Sequence, residues 1–296
     1  MKIRCKYCRS ELKFFLTSYD HNRKYTKYKF NYYKCTGCNT ITLTNFPKKI
    51  SSVYKNSYYS VKNKNQILKD NINRIQYLQN LNLKKKSDIL EIGSGPGEFL
   101  YCAKKLGFNP VGLDINPKLS NFTKKNYDIE TITNKKISSI KKKYSLIVSW
   151  HSLEHFEHPF DVLLSITKIV KKNGFVILSL PNPKSFGFKM LKSKWPHLDA
   201  PRHRNLIDIK TIQNFFENKK FKTLLTTTND KDSKYNNRLS YSIFLYNILF
   251  SKSFFEANKI EKFVFNLMGL FVSIFFYPIE NSRNNGSTFN IVLKKK

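Results

Sequence analysis

The stretch ILEIGSGPGEF, residues 89–99, constrains the fold more than any other part of the sequence. An apolar run ends in three glycines at alternate positions, Gly93, Gly95 and Gly97, and helix-compatible residues begin at Glu98. Without Cβ atoms the backbone there can turn tightly and approach a ligand closely. A buried strand feeding a glycine turn and then a helix is the opening unit of a doubly wound sheet. A dinucleotide fingerprint would need G-x-G-x-x-G, and Glu98 occupies its last glycine position. The pattern is instead G-x-G-x-G, with an acid, Glu91, two residues before the first glycine.

The middle of the chain repeats this alternation. Residues 87–92, 110–115, 144–150 and 175–180 read as buried strands of a parallel sheet. Helices are predicted between them at 98–106, 117–126 and 160–171, the last stopped by Asn173 and Gly174. A further helix over about 65–80 carries an apolar stripe of Ile67, Ile72, Ile75 and Leu78. Strand and helix in this order predict an α/β fold, with ligand bound at the carboxyl ends of the strands. Asp114, near the end of the second strand, lies 19 residues beyond Gly95, where a carboxylate can accept both ribose hydroxyls of a nucleoside.

Four elements in this order resemble the S-adenosylmethionine-dependent methyltransferases with a Rossmann-like, seven-stranded sheet. They are the glycine segment, Asp114, YSLIVSWHSLEH over 144–155, and VKKNGFVILSL over 170–180. The resemblance implies S-adenosylmethionine as cofactor. Glu91, Gly93, Ser94, Gly95 and Gly97 would lie against its methionine part, Asp114 would hold the ribose, and Trp150 would be a further contact. For the adenine neighbour only Thr133 or Asn134 offers itself. The sulfonium methyl of this cofactor is already activated, so the protein must align a nucleophile and remove its proton.

His151, Glu154 and His155 stand at i, i+3 and i+4 just beyond the third of these strands and would share one face of a helical turn. One reading makes His155 or His151 a general base oriented by Glu154. A second has the trio bind a divalent metal, as similarity to the E-x-x-E-H of polyprenyl-quinol O-methyltransferases implies, although His151 replaces the first Glu. A third has them only pack the loop. The segment also spells H-x-x-E-H, an inverted zinc-protease motif, but it follows a parallel strand and lacks a long central helix.

Residues 181–203 resemble the substrate-covering insertion of bacterial surface-polysaccharide methyltransferases. Trp195, Asp199, Arg202 and His203 would then sit over the pocket mouth, with Arg202 set to pair a phosphate. Alternatively Asp199 and Arg202 pin the loop.

Cys5 and Cys8 form one C-x-x-C, Cys35 and Cys38 another, with 26 residues between the two pairs. Two such knuckles place four thiolates tetrahedrally around zinc, closing the site to catalysis. A zinc ribbon over 1–60 and a methyltransferase domain over 61–296 follow as the expected organisation. The junction around residues 53–60 resembles that of sugar C-methyltransferases, in which a tyrosine such as Tyr58 or Tyr59 covers the cofactor. Cys102 reads as a core thiol.

The apolar, aromatic region about 237–280 is the least determined. Residues 263–279, interrupted by Asn266, Gly269 and Ser273, fall short of the ~20 that span a bilayer. A pocket cover, a core or dimer helix, an interfacial helix beside Lys252, Lys259 and Lys262, and a true transmembrane span all remain open. Residues 288–293 are predicted as a final antiparallel strand.

Composition adds bounds. Hydrophobic residues at 41% and aromatics at 15% can build a core, which excludes a disordered chain, a collagen-like fibre or a disulfide miniprotein. The polar start with two Cys has no apolar signal core, so a cytoplasmic protein is expected, with peripheral contact at the membrane an added option. A net charge of +33 fits either coding drift, with Lys scattered among Asn and Ile, or an acidic partner. Arg and Lys do not cluster with aromatics in an RNA module, which counts against nucleic acid. The expected substrate is a small or lipid-linked metabolite, foremost a sugar or nucleotide sugar of surface-polysaccharide synthesis, with a quinol as runner-up. An RNA-modifying protein and a non-catalytic partner subunit are the alternatives from other classes.

Overall fold

The computed structural model of the chain describes residues 3–47, 62–133, 135–282 and 284–296. Three strands open it: β1 (Leu12–Ser18), β2 (Phe30–Cys35) and β3 (Ile41–Leu43). Two short helices follow, α1 (Lys64–Asp70) and α2 (Ile72–Asn80). The alternating part runs β4 (Asp88–Ile92), α3 (Glu98–Lys105), β5 (Asn109–Leu113), α4 (Pro117–Tyr127), β6 (Thr131–Ile132), β7 (Tyr144–Trp150), α5 (Pro159–Ile169) and β8 (Val170–Pro181). Then come α6 (Phe186–Leu191), β9 (Asn205–Leu206), α7 (Ile209–Glu217), β10 (Phe221–Thr227), α8 (Lys231–Leu249), α9 (Lys259–Glu280) and β11 (Thr288–Lys295).

Seven strands form one sheet in the order β10-β11-β8-β7-β4-β5-β6. Strands β8, β7, β4, β5 and β6 are parallel neighbours, while β11 runs antiparallel between β8 and β10. This is the expected doubly wound, seven-stranded α/β sheet with its antiparallel final strand. The chain order reverses between β4 and β7, and that switch point opens a crevice at the carboxyl ends of the strands.

Alternation along the strands assigns side chains to two cores. Leu90, Ile92, Ile147, Val176 and Leu178 pack with Ile166 of α5 and with Ile212 and Phe216 of α7. Ile89, Leu146, Val148 and Ile177 point the other way, onto Leu78 of α2 and onto Phe99 and Cys102 of α3. These side chains are almost wholly buried, each contributing about 1.5–3 kcal/mol. Cys102 is the expected core thiol, its pKa pushed up to about 11 by burial.

The second sheet joins distant segments. β1, β2 and β3 form an antiparallel meander whose open edge is closed by β9, with Ile41 opposite Leu206. Residues 188–206 share a core with this meander: Phe188, Trp195 and Leu206 pack among Phe30, Tyr32 and Ile41. The cysteine-bearing module and the insertion are therefore one packed body. Trp195, expected over a pocket mouth, lies instead in this core at 1% exposure.

Three local expectations change. The predicted 65–80 helix breaks at Asn71, whose side-chain amide and backbone N–H both donate to the Ile67 carbonyl, at 2.9 and 3.1 Å. Such local bonding competes with helix propagation, and Ile72 turns outward. Asn173 and Gly174 do not stop a helix, because α5 ends at Ile169. They bulge the entry to β8, where Tyr144 pairs with Val170 and Leu146 already with Phe175. A Cβ on Gly174 would lie 2.9 Å from the Lys171 carbonyl oxygen. Finally, α9 is a continuous 22-residue helix, longer than the sequence suggested.

Candidate active site

β4 delivers Glu91 into the crevice and hands the chain to the glycine turn. Gly93, Gly95 and Gly97 have φ of +71°, +52° and +76°, a region that side-chain-bearing residues avoid. Crowding fixes two of them: a Cβ on Gly93 would strike the Ser152 side chain, and one on Gly97 would come 2.6 Å from Thr123 Cγ2. Gly95 faces open space. Its N–H donates to Asp114 Oδ2 at 2.8 Å, and the other Asp114 oxygen accepts from the Asn116 N–H at 2.9 Å. A carboxylate offers about four acceptor sites, so Asp114 braces the turn and retains acceptor capacity for a ligand.

The turn borders a cleft of about 320 Å³ lined by Glu91, Gly93, Ser94, Gly95 and Trp150, with Arg74 and Lys62 completing it. Asp114 stands behind the turn and is not among the lining residues. Glu91 is 3% exposed, and its Oε2 has no hydrogen-bond partner among the described residues. Burial pushes its pKa up to about 8, against the opposing Arg74 charge. Trp150 packs on Tyr77 and Phe99, lies under the Arg74 guanidinium, and has an unpartnered indole N–H. Buried polar groups are nearly always bonded; here an acceptor and a donor border one cleft. A cationic amine or sulfonium suits the carboxyl and the aromatic face, so the residues fit S-adenosylmethionine. Arg74 and Lys62 were not singled out in the sequence because only tertiary docking brings α2 and the start of α1 here.

Beyond Trp150 the chain turns at His151, with φ +49°. The His151 N–H donates to the Ser179 carbonyl at 3.0 Å, and its Nε2 lies 3.1 Å from Ser179 Oγ. Glu154 is wholly buried. Its Oε1 is 3.8 Å from His151 Nδ1 and 3.8 Å from His203 Nε2, and neither oxygen has a hydrogen-bond partner among the described residues. Burial pushes Glu154 up to about 8. His155 Nδ1 meets the Arg202 carbonyl at 2.9 Å and His203 Nδ1 the His197 carbonyl at 2.7 Å. A carbonyl only accepts, so Nδ1 carries the proton in both rings and Nε2 the lone pair. Burial lowers both imidazole pKa values, His203 to about 3, so the rings stay neutral.

The sequence grouped His151, Glu154 and His155 on one helical face. The structure arranges them around the carboxyl, with His151 ahead of a short turn at Leu153–His155. It adds His203 from the insertion: the ligand atoms of Glu154, His155 and His203 all lie within 4.8 Å of one another.

Arg202 does not face a phosphate. It is 4% exposed, and its guanidinium donates to Asp20 Oδ1 at 2.6 Å and to Asp199 Oδ1 at 2.8 Å. Burial would raise the Asp199 pKa, but the Arg202 charge outweighs it and holds that carboxyl well below the usual range. The loop-pinning alternative is the one observed, with Asp20 of the N-terminal module as third member.

In that module Cys5 Sγ lies 3.7 Å from Cys38 Sγ, and Cys8 Sγ lies 3.3 Å from Cys35 Sγ. All four sulfurs fall within 4.8 Å of one another. A zinc tetrahedron with 2.3 Å bonds has edges of about 3.8 Å, so the quartet fits the ion after small relaxation. A larger cleft of about 910 Å³ between this module, α5 and α7 shares no lining residue with the glycine cleft. Tyr58, Tyr59 and Asn134 lie outside the described residues.

The family described as methyltransferase domain matches residues 61–226, more than half of the chain, and the chain belongs to that family. Among curated relatives, ribosomal protein L11 methyltransferase of Dictyoglomus turgidum is 30% identical over 128 residues, covering 38% of this chain and 42% of its own length. Ubiquinone biosynthesis O-methyltransferase of Schizosaccharomyces pombe is 28% identical over 100 residues, covering 31% and 36%. The chain thus spans less than half the length of either. Among solved structures, one assigned as a sarcosine dimethylglycine methyltransferase from Galdieria sulphuraria superposes with a TM-score of 0.54 at 14% identity, covering 77% of this chain and 86% of that one. That likeness shows the shared fold.

Proposed function

We propose that the chain is an S-adenosylmethionine-dependent methyltransferase acting on a small or lipid-linked metabolite, foremost a sugar of surface-polysaccharide synthesis. The observation that carries the cofactor is the glycine cleft, where the buried Glu91 Oε2 and the Trp150 indole N–H both lack partners among the described residues. When bound, the cofactor supplies an activated methyl on a sulfonium.

Glu91 would accept the ammonium of such a ligand, Asp114 would take its ribose hydroxyls, and Trp150 would border the cofactor. His151 follows Trp150 directly and keeps 30% of its side chain exposed, so it is the imidazole placed to take a proton from an acceptor hydroxyl. Ser179 Oγ meets its ring at Nε2, and the Glu154 carboxyl stands 3.8 Å from Nδ1 without a hydrogen bond. The insertion contributes His203 to this cluster, which supports an acceptor site beside it.

A second reading rests on the convergence of Glu154, His155 and His203. Neutral Nε2 lone pairs and a carboxylate form a divalent-cation set, which would clamp an oxygen acceptor such as a quinol. The partial similarity to a ubiquinone biosynthesis O-methyltransferase supports it. Four thiolates, Cys5, Cys8, Cys35 and Cys38, would hold a separate structural zinc. Radiolabelled methyl transfer to nucleotide sugars, quinols and RNA, run in parallel with and without chelator, separates these readings. Transfer to a sugar that survives chelation supports the first, and chelator-sensitive transfer to a quinol the second.

A further inference from the structure

Helix α9 is long and apolar enough to cross a membrane, with mean hydropathy 1.7, yet only 17% of its apolar window is buried. Of the alternatives left open for this region, a core helix does not match this exposure. Its inner edge is narrow: Phe265 stacks edge-on to Tyr246, and a Cβ on Gly269 would lie 2.8 Å from the Arg238 carbonyl oxygen of α8. Its outer face shows Ile260, Phe263, Leu267, Phe271, Ile274 and Phe275 at 43–76% exposure. That spacing makes one continuous stripe along the helix. So large an exposed apolar surface marks an interaction site.

Both ends of α9 are tied to the same folded body. Before it, Ser253 Oγ donates to the Asn22 carbonyl at 2.6 Å, and Lys24 Nζ donates to the Phe250 carbonyl at 2.6 Å. After it, the Glu280 carboxyl accepts from Tyr241 Oη at 2.6 Å, and the chain enters β11 inside the main sheet. A spanning helix would put its ends on opposite sides of ~30 Å of hydrocarbon. α8, with Lys231, Asp232, Lys234 and Arg238, could not follow it there. Around the start of α9, Arg23, Lys24, Lys252, Lys259 and Lys262 outnumber Glu256 and Glu261, and the whole chain carries +33.

We infer that α9 lies in the plane of an anionic lipid bilayer, its outer stripe among the upper acyl chains and the basic start of the helix against the headgroups. Docking of this kind holds whatever the methyl acceptor is, and it would bring a lipid-linked one to the cleft.

Co-sedimentation with vesicles of phosphatidylcholine, with and without phosphatidylglycerol, tests it. The expected result is at least tenfold tighter binding to the anionic vesicles at low salt, since each nearby cation contributes about fivefold. The triple variant Phe263→Glu, Phe271→Glu, Phe275→Glu should lose binding while keeping the wild-type urea midpoint. Lys259→Glu, which alters no apolar residue, should weaken anionic binding alone. Both native tryptophans are buried, so Phe263→Trp and Ile274→Trp report depth through brominated lipids. Equal, shallow quenching supports the in-plane helix. A depth difference approaching the ~16 Å of helix between them would mean a spanning helix and overturn it. A wild-type dimer that the triple variant dissociates, with no vesicle binding, would also overturn it by assigning the face to a second copy.

Discussion

His203 Nε2 and His151 Nδ1 each stand 3.8 Å from the same oxygen of Glu154, a buried carboxyl with no hydrogen bond. His203 lies 52 positions after His151, and direct bonds bring the two segments together, from the Arg204 N–H to the Glu154 carbonyl at 2.9 Å and from His155 Nδ1 to the Arg202 carbonyl at 2.9 Å. If Glu154, His155 and His203 hold a divalent cation, Mg²⁺ or Mn²⁺ should raise the melting temperature of the wild type whose cysteine site is already loaded with zinc. A cation at 100 times its Kd would add about 2.7 kcal/mol. His203→Ala should abolish that increment, and a shift that survives in the variant would remove His203 from the site.

Asp114→Ala should weaken S-adenosylmethionine binding by roughly 10- to 150-fold, the range expected for lost hydrogen bonds to a charged group. It also removes the acceptor of the Gly95 N–H. A titration indistinguishable from wild type would refute the ribose assignment.

Glu91 gives a pH dependence. Its folded pKa of about 8 lies above the ordinary glutamate value of 4.5, so between these limits the folded chain keeps a proton that the unfolded chain has released. Stability therefore falls as pH rises through that window, by up to about 4 kcal/mol. Urea denaturation at pH 5 and pH 9 measures it, and Glu91→Gln should flatten the profile by that amount. An equal decline in the variant would place the titration elsewhere.

Much of this was legible in the sequence because it is local. The 144–150 strand, the glycine turn and the cysteine spacing depend on neighbours a few residues away. What was not legible depends on distant partners. Arg202 looked available for a phosphate until Asp20, 182 residues earlier, proved to hold it. Arg74 reaches Trp150 only because α2 docks beside α3. In α9, Gly269 reads as an interruption along the chain, yet in space it lets α8 approach.

Breaking the Asp20–Arg202–Asp199 group should cost about 3–5 kcal/mol, because a charge is left buried without its partner. Arg202→Ala, which leaves the Asp20 and Asp199 carboxylates without their shared cation, tests this by urea unfolding, and a loss below about 0.5 kcal/mol would contradict it.

Cys35→Ser should take bound zinc from about one ion per chain to none. Since β9 completes the cysteine module's sheet, amide exchange should also quicken at Leu206. Unchanged metal content would refute a four-cysteine site.

The central claim is tested most directly by calorimetric titration of the zinc-quantified protein with S-adenosylmethionine and with its demethylated product. One site per chain with Kd below about 100 μM, weakened by Asp114→Ala, is the expected result. No binding of either compound by a folded, metallated protein would contradict the account.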